Sequence, residues 1–108
     1  MSLVLPNPVV AYFAAENSDD TEALAQCFVD HAVVKDEGRA IEGLTAIKQW
    51  HVEAKKKYHH TVQPIDAVER DGKTVVIGKV SGNFPNSPVT LDYIFGLEGE
   101  KIASLEIG

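Results

Sequence analysis

The spacing of apolar residues along the chain changes once, near residue 60, from helical to alternating. In the first half, Val9, Val10, Tyr12 and Phe13 give a short helix one apolar side. Asn7-Pro8 reads as its start, an N-cap residue followed by proline at the first helical position, and Asn17-Ser18 as its end. Asp19 and Glu22 stand at capping-box spacing ahead of a second helix carrying Leu24, Cys27 and Phe28, so a helical hairpin is expected. Ala32-Val33-Val34 is too brief for a helix and reads as a short strand running into a polar loop, Lys35-Asp36-Glu37-Gly38. After Gly43, the residues Leu44, Ile47, His51, Ala54 and Tyr58 recur on one face and predict a third helix.

Beyond His59 the period becomes two. Residues 61–69 read as a strand, Asp71-Gly72 as a hairpin turn, and residues 74–84 as a long strand with Gly78 and Gly82 on one face. Such glycines let a sheet bend, or let a helix or ligand come close. Pro85-Asn86-Ser87-Pro88 makes a further turn, and residues 89–97 and 102–107 form two last strands joined around Gly99. Helices followed by an antiparallel meander predict an α+β fold with the helices on one face of the sheet. No repeat or linker interrupts residues 1–108, which read as one domain.

Composition narrows the partners. A net charge of −6 disfavours nonspecific attraction to nucleic acid or to anionic lipid. The basic run Lys55-Lys56-Lys57 reads as a solvated helix end, where cations suit the helix dipole. Cys27 has no second cysteine to pair with and reads as a buried structural thiol. No basic segment followed by a long apolar core opens the chain, and no apolar run is long enough to span a bilayer, so the cytoplasm is the expected compartment. Met1-Ser2-Leu3 is compatible with a cloning remnant. A core this small commonly gains stability by pairing with a second copy.

Several residues are candidates for chemistry. Asp36 emerges from the apolar Val33-Val34 run; a carboxylate at the mouth of an apolar pocket loses hydration and becomes a better proton acceptor, whereas in a plain loop it is merely solvated. Alternation puts Asp92 on the face of Ile94, opposite Leu91, Tyr93 and Phe95, and both faces are mixed, so inward and outward orientations stay open. Tyr12 is either a core residue with a satisfied hydroxyl or a donor to a ligand. Trp50 and His51 are placed to line the same cavity, although a lone histidine on an apolar stripe also serves as a satisfied core residue. His59-His60 enter a strand as neighbours and so point to opposite faces, which argues against a shared metal ion; no HExxH, paired cysteines, GxSxG or glycine-rich phosphate loop is present.

The stretches Tyr12-Phe13-Ala14-Ala15, Asp20-Thr21-Glu22-Ala23-Leu24, Phe28-Val29-Asp30-His31-Ala32-Val33-Val34-Lys35-Asp36, Glu42-Gly43-Leu44-Thr45-Ala46-Ile47 and Leu91-Asp92-Tyr93 through Lys101-Ile102 resemble the nuclear transport factor 2-like superfamily. The similarity is to its SnoaL-like polyketide cyclase and ketosteroid isomerase-like branches, and it runs over residues 9–107. It implies a cone-shaped α+β barrel, a cystatin-like roll, with three N-terminal helices packed on a curved antiparallel sheet. It also implies a ligand in the open end of the cone and a homodimer formed through the sheet, with Leu91, Tyr93, Phe95, Leu105 and Ile107 supplying apolar side chains at alternate positions.

By the same resemblance, Asp36 matches the isomerase residue that moves a proton beside a carbonyl. Tyr12 and Asp92 match the two residues that hydrogen-bond the resulting oxyanion, the aspartate as a neutral carboxyl. Trp50, His51 and Phe84 are expected to line the pocket with them. The implied function is a cofactor-independent isomerase or cyclase acting on a small apolar carbonyl compound; the alternative is a noncatalytic ligand-binding or protein-interaction module of the same fold. Two departures bear on the choice: the Asp36–Gly43 segment is shorter than in the isomerases, and His51 stands where a supporting tyrosine is usual.

Overall fold

The structure, a computed structural model, describes residues 4–108. The Met1-Ser2-Leu3 stretch lies outside them. The elements follow as α1 (Asn7–Asn17), α2 (Thr21–Gln26), β1 (Phe28–Asp36), β2 (Arg39–Glu42), α3 (Leu44–Tyr58), β3 (Thr61–Arg70), β4 (Lys73–Ser81), β5 (Val89–Glu98) and β6 (Lys101–Ile107). Three helices pack on one face of a six-stranded sheet of order β2-β1-β6-β5-β4-β3. The α+β class and the helix-then-sheet order match the apolar periodicity.

Two features of the implied barrel differ. The sheet is mixed, because β1 runs parallel to β6 while every other pair is antiparallel. It is also open, with β2 and β3 as its edges. The parallel pair arises because α3 lies between β1 and the rest of the sheet in sequence, so β1 is inserted beside the last strand rather than joined to it by a hairpin.

Local boundaries shift for identifiable reasons. Pro6 caps α1, which places Pro8 in the first turn, where its missing N–H costs nothing. The cap of α2 is Asp20, whose Oδ1 accepts from Ala23 N at 3.0 Å, so Asp19 is displaced by one residue from the expected role. Phe28 begins β1 instead of closing α2. The expected polar loop is a hairpin: Asp36 pairs with Arg39, and Glu37 and Gly38 both take positive φ, 52° and 75°, as a two-residue type I′ turn requires.

The core is an aromatic cluster. Tyr12 meets Phe13, Phe28 and Phe95 edge-on with ring centres 5.2, 6.0 and 5.5 Å apart, and Phe13 meets Tyr93 at 5.4 Å. Asn17 ties the end of α1 to the edge strand β3: its Oδ1 accepts from Val62 N and its Nδ2 donates to Val62 O, both at 2.8 Å. Gly82 gives the end of α3 room, since a Cβ there would lie 2.7 Å from the Tyr58 carbonyl oxygen. Cys27 is buried and its thiol is pushed up by burial, as suits a structural residue. Among the described residues no helix is long and apolar enough to cross a membrane.

Candidate functional site

The sheet curls around α1 and α3 and leaves a cavity of about 230 Å³ between them. Its walls are apolar: Trp50 and Ala54 from α3, Val80 from β4, Phe84 from the following loop, Val89, Leu91 and Tyr93 from β5, and Ile107 from β6. Polar groups enter it at separate places. Tyr12 and Glu16 come from α1, His51 and Tyr58 from α3, Asp36 and Glu37 from the β1–β2 hairpin, and His60 from the approach to β3.

Asp36 is the last residue of β1, half-buried, and aimed at the cavity by the tight turn that follows it. Trp50 Nε1 donates to its Oδ2 at 3.0 Å. Burial pushes the Asp36 carboxyl above its usual value, against the indole N–H of Trp50 that pulls it down. The charge of Glu37 acts with burial, and His60 acts against it. Beside it, Tyr58 donates its hydroxyl proton to Glu37 Oε1 at 2.9 Å, which anchors the hairpin to the end of α3.

Tyr12 and Glu16 are one helical turn apart on the buried side of α1. Burial, followed by the charge of Glu16, holds the Tyr12 hydroxyl well above its usual value, so it remains a neutral hydrogen-bond donor. Glu16 is only 2% exposed. Its Oε1 lies 2.6 Å from His60 Nε2, and Lys55 Nζ and His51 Nε2 each lie 3.6 Å from one of its oxygens. Burial alone would raise the Glu16 carboxyl; contact with His60, His51 and Lys55 outweighs it and holds the group below its usual value. His51 also shares a hydrogen bond between Nδ1 and Thr21 Oγ1 at 2.9 Å, and its burial pushes its pKa down in spite of Glu16. Among the described residues no three His, Cys, Asp or Glu side chains converge as metal ligands do.

Five of the six residues singled out in the sequence, Tyr12, Asp36, Trp50, His51 and Phe84, line this one cavity. Asp92 does not. It is exposed on the far side of β5, while its neighbours Leu91 and Tyr93 face the cavity. The inward set is fixed by Tyr93 and Phe95, which are needed in the aromatic core, and strict alternation then turns Asp92 out.

Glu16, Glu37, Tyr58 and His60 are the polar groups of the cavity that sequence reasoning did not place in the site, Glu16 and His60 being the most deeply enclosed. Glu16 and His60 each carried a signal. Glu16 extends the buried spacing of Val9, Tyr12 and Phe13, and His60 alternates with the inward Val62. Lys55 is likewise not a solvated helix end: it folds back onto Glu16, onto Asp19 at 3.1 Å and onto the carbonyl oxygen of His60.

Helices packed on one face of a curled, open, mixed sheet define the nuclear transport factor 2-like fold. The chain belongs to the SnoaL-like domain family, whose model matches residues 9–105. It is similar to a candidate polyketide cyclase of Sinorhizobium meliloti, with 44% identity over 96% of this chain and 95% of that one and a TM-score of 0.93. Its fold is shared by a protein of ketosteroid isomerase-like fold from Catenulispora acidiphila, determined in complex with trimethylamine (19% identity, 97% and 86% of the two chains, TM-score 0.84). A nuclear transport factor 2-like protein of Cytophaga hutchinsonii shares it too, at 14% identity over 100% and 91% of the chains with a TM-score of 0.79. Among curated proteins none matches.

Proposed function

We propose that this chain is a cytoplasmic, cofactor-independent isomerase or cyclase that moves a proton beside the carbonyl of a small apolar substrate. The observation that carries the reading is the setting of Asp36: a carboxyl at the edge of an apolar cavity, held in place by the Trp50 indole and made more basic by burial. Tyr12, kept neutral, supplies a hydrogen bond to the oxyanion that forms when Asp36 takes the proton. The cyclase branch of the reading draws on the Sinorhizobium meliloti relative. A cavity of about 230 Å³ is below the roughly 300–1,000 Å³ of pockets for drug-sized ligands, so it suits a compact one- or two-ring molecule. A β,γ-unsaturated cyclic ketone tests this: growth of the conjugated enone absorbance faster than in buffer supports it, and an unchanged rate across a panel of ring sizes counts against it.

A second reading, a noncatalytic binding module, is favoured by the exposure of Asp92, which removes one of the two oxyanion donors the resemblance implied. On that reading the Asp36–Trp50 and Glu16–His60 contacts only satisfy one another.

The proposal includes a homodimer through the outer face of the sheet, formed by residues other than those named from the sequence. Tyr93, Phe95 and Leu105 are consumed by the core, and Leu91 and Ile107 by the cavity wall. The outer face carries the exposed Val68 and the half-buried Ile77 and Ile94 across β3, β4 and β5, around Val75, which its neighbours already bury. Asp66 and Asp92 border this stripe together with Lys73 and Lys79, so a second copy related by a two-fold axis can set acids against lysines.

A further inference from the structure

We infer that the hydroxyl of Tyr93 is the second donor to the carbonyl oxygen of the substrate, in the place that the resemblance gave to Asp92. The inference rests on the reading of the cavity as a proton-transfer site. Tyr93 follows Asp92 on β5 and takes the inward position that alternation denies to the aspartate. It lines the cavity together with Tyr12 and Asp36.

The ring is held from several sides. It meets Phe13 edge-on at 5.4 Å and stacks along Phe95 at 6.5 Å, so the core sets its orientation. Gly78 lets it lean across β4: a Cβ there would lie 3.2 Å from Tyr93 Cδ1 and 3.0 Å from Cε1. Gly78 pairs with Leu91, two residues before Tyr93, so the ring tilts along the sheet toward Leu91 and Val80, both in the cavity wall. The hydroxyl extends beyond Cε1 in that direction. A donor fixed before the reaction needs no reorganisation during it.

The chain has three tyrosines, and their hydroxyls are used differently. Tyr58 donates to Glu37, and Tyr12 stands beside Glu16. The Tyr93 hydroxyl has no hydrogen-bond partner in the protein. Nor is it sealed off: among the described residues, the enclosed side-chain polar atoms without a partner belong to Glu16, His51 and His60. Tyr93 is 4% exposed, and the surface it keeps opens on the cavity it lines. A phenol left unpaired at an apolar wall gains from an acceptor brought in by a ligand. Burial, followed by the charges of Glu16 and Asp36, holds its hydroxyl above the usual value, so it stays protonated and neutral. The Tyr12 hydroxyl is raised by Tyr93 and by Asp36 as well, which sets both phenols and the base around one space.

In the step, the C–H bond beside the carbonyl breaks and Asp36 takes the proton. The electron pair moves onto the carbonyl oxygen, which accepts hydrogen bonds from Tyr12 and Tyr93. Both phenols keep their protons. Asp36 then returns its proton to a different carbon, and nothing is oxidised or reduced. The negative charge that leaves Asp36 reappears on the substrate oxygen, so the cavity holds the same total throughout. Lys55, 3.6 Å from Glu16, offsets that neighbouring carboxylate.

Tyr93→Phe keeps the ring and its packing and removes only the oxygen. The test uses 4-nitrophenol, whose phenolate mimics an enolate oxygen and absorbs differently from the neutral phenol. It is bound to the Asp36→Asn protein, in which the base is uncharged, as it is after proton uptake. The bound probe is expected to be mainly phenolate. Tyr93→Phe added to this background should weaken phenolate binding by roughly ten-fold or more and shift the bound probe toward the neutral form. Nitrobenzene, which lacks the oxyanion, should bind both proteins alike. Labelling the tyrosines at ¹³Cζ gives three resonances, assigned by Tyr→Phe substitution. The phenolate should move that of Tyr93, and nitrobenzene should leave it near its free position. Unchanged phenolate binding in Tyr93→Phe, or a Tyr93 resonance that stays in place with the phenolate bound, would overturn the inference. So would an Asp36→Asn protein that binds no phenolate. If Tyr93→Phe abolishes nitrobenzene binding, the resonance alone decides. With Asp36 intact, Tyr93→Phe should lower kcat for a ketone substrate by roughly 100- to 1,000-fold while KM moves little. Asp36-dependent turnover untouched by Tyr93→Phe would sink this inference and leave the isomerase reading; Tyr93-dependent phenolate binding without any turnover would do the reverse.

Discussion

Trp50 Nε1 donates to Asp36 Oδ2 at 3.0 Å, which couples the orientation of the proposed base to the third helix. This bond opposes the effect of burial on the carboxyl, so it tunes the base downward while fixing its position. Trp50→Phe keeps most of the ring and removes the donor. The Asp36 carboxyl should then titrate at higher pH, and the acid limb of any pH–rate profile should move up with it. Loss of a hydrogen bond to a charged group costs about 1.5–3 kcal/mol, which urea denaturation would register. A limb that stays in place would mean that Asp36 is not the group being titrated.

The Glu16 cluster predicts acid sensitivity in two stages. His51 has a folded-state pKa below its unfolded value of 6.5, so its contribution is complete above that pH and is lost as pH falls toward the folded value. Glu16 is also depressed, from 4.5, and its contribution is lost as pH falls further through the folded value. Asp36 has the opposite sign: its raised carboxyl favours the folded state at low pH, and that gain is lost as pH rises through the folded value. Thermal unfolding between pH 7 and pH 3 should show a falling Tm whose lower part flattens in Glu16→Gln. Glu16→Ala should cost about 3–5 kcal/mol at neutral pH, because the largely buried Lys55 ammonium loses its counter-charge. A Tm profile in Glu16→Gln parallel to that of the parent would contradict this account.

The outward turn of Asp92 separates the structure from the family pattern experimentally. Asp92→Asn should leave turnover unchanged and alter stability by no more than about 0.5 kcal/mol, as exposed substitutions usually do. A large loss of turnover in Asp92→Asn would return this residue to the site.

The contrast between Asp36 and Asp92 shows what the chain made legible. The change of period near residue 60, with the turn and capping residues, located the helices and the four later strands within a few residues. Asp36 and Tyr12 could be placed through the family resemblance, which runs without a gap from one to the other, and not from their local pattern, since Asp36 read as a loop residue and closes β1 instead. Asp92 could not, because both faces of β5 carry apolar and polar residues and only the packing of Tyr93 and Phe95 decides between them. The β1–β6 pairing was invisible because parallel neighbours 28 and 102 have no local sequence signal. Glu16 was overlooked because a charged residue on a helix is ordinarily solvated; Lys55 and two imidazoles, His51 and His60, gather around its carboxyl and make its burial tolerable.

The outer-face residues Val68, Ile77 and Ile94 predict a dimer that a single charge can split. Ile94→Asp should convert a dimer at micromolar concentration into a monomer by light scattering, while the cavity on the opposite face keeps its ligand. A parent protein that is already monomeric at that concentration would rule out the dimer.

The central claim is that Asp36 moves a proton in this cavity, and solvent exchange reads it most directly. Deuterium uptake at the carbon beside the carbonyl, followed by NMR for a panel of small cyclic ketones in D₂O, requires no natural substrate. The account predicts uptake well above the buffer rate for the ketones that bind, and a loss of roughly 100- to 10,000-fold in Asp36→Asn with binding retained. Ketones that bind yet exchange no faster than in buffer, identically in the parent and in Asp36→Asn, would contradict it.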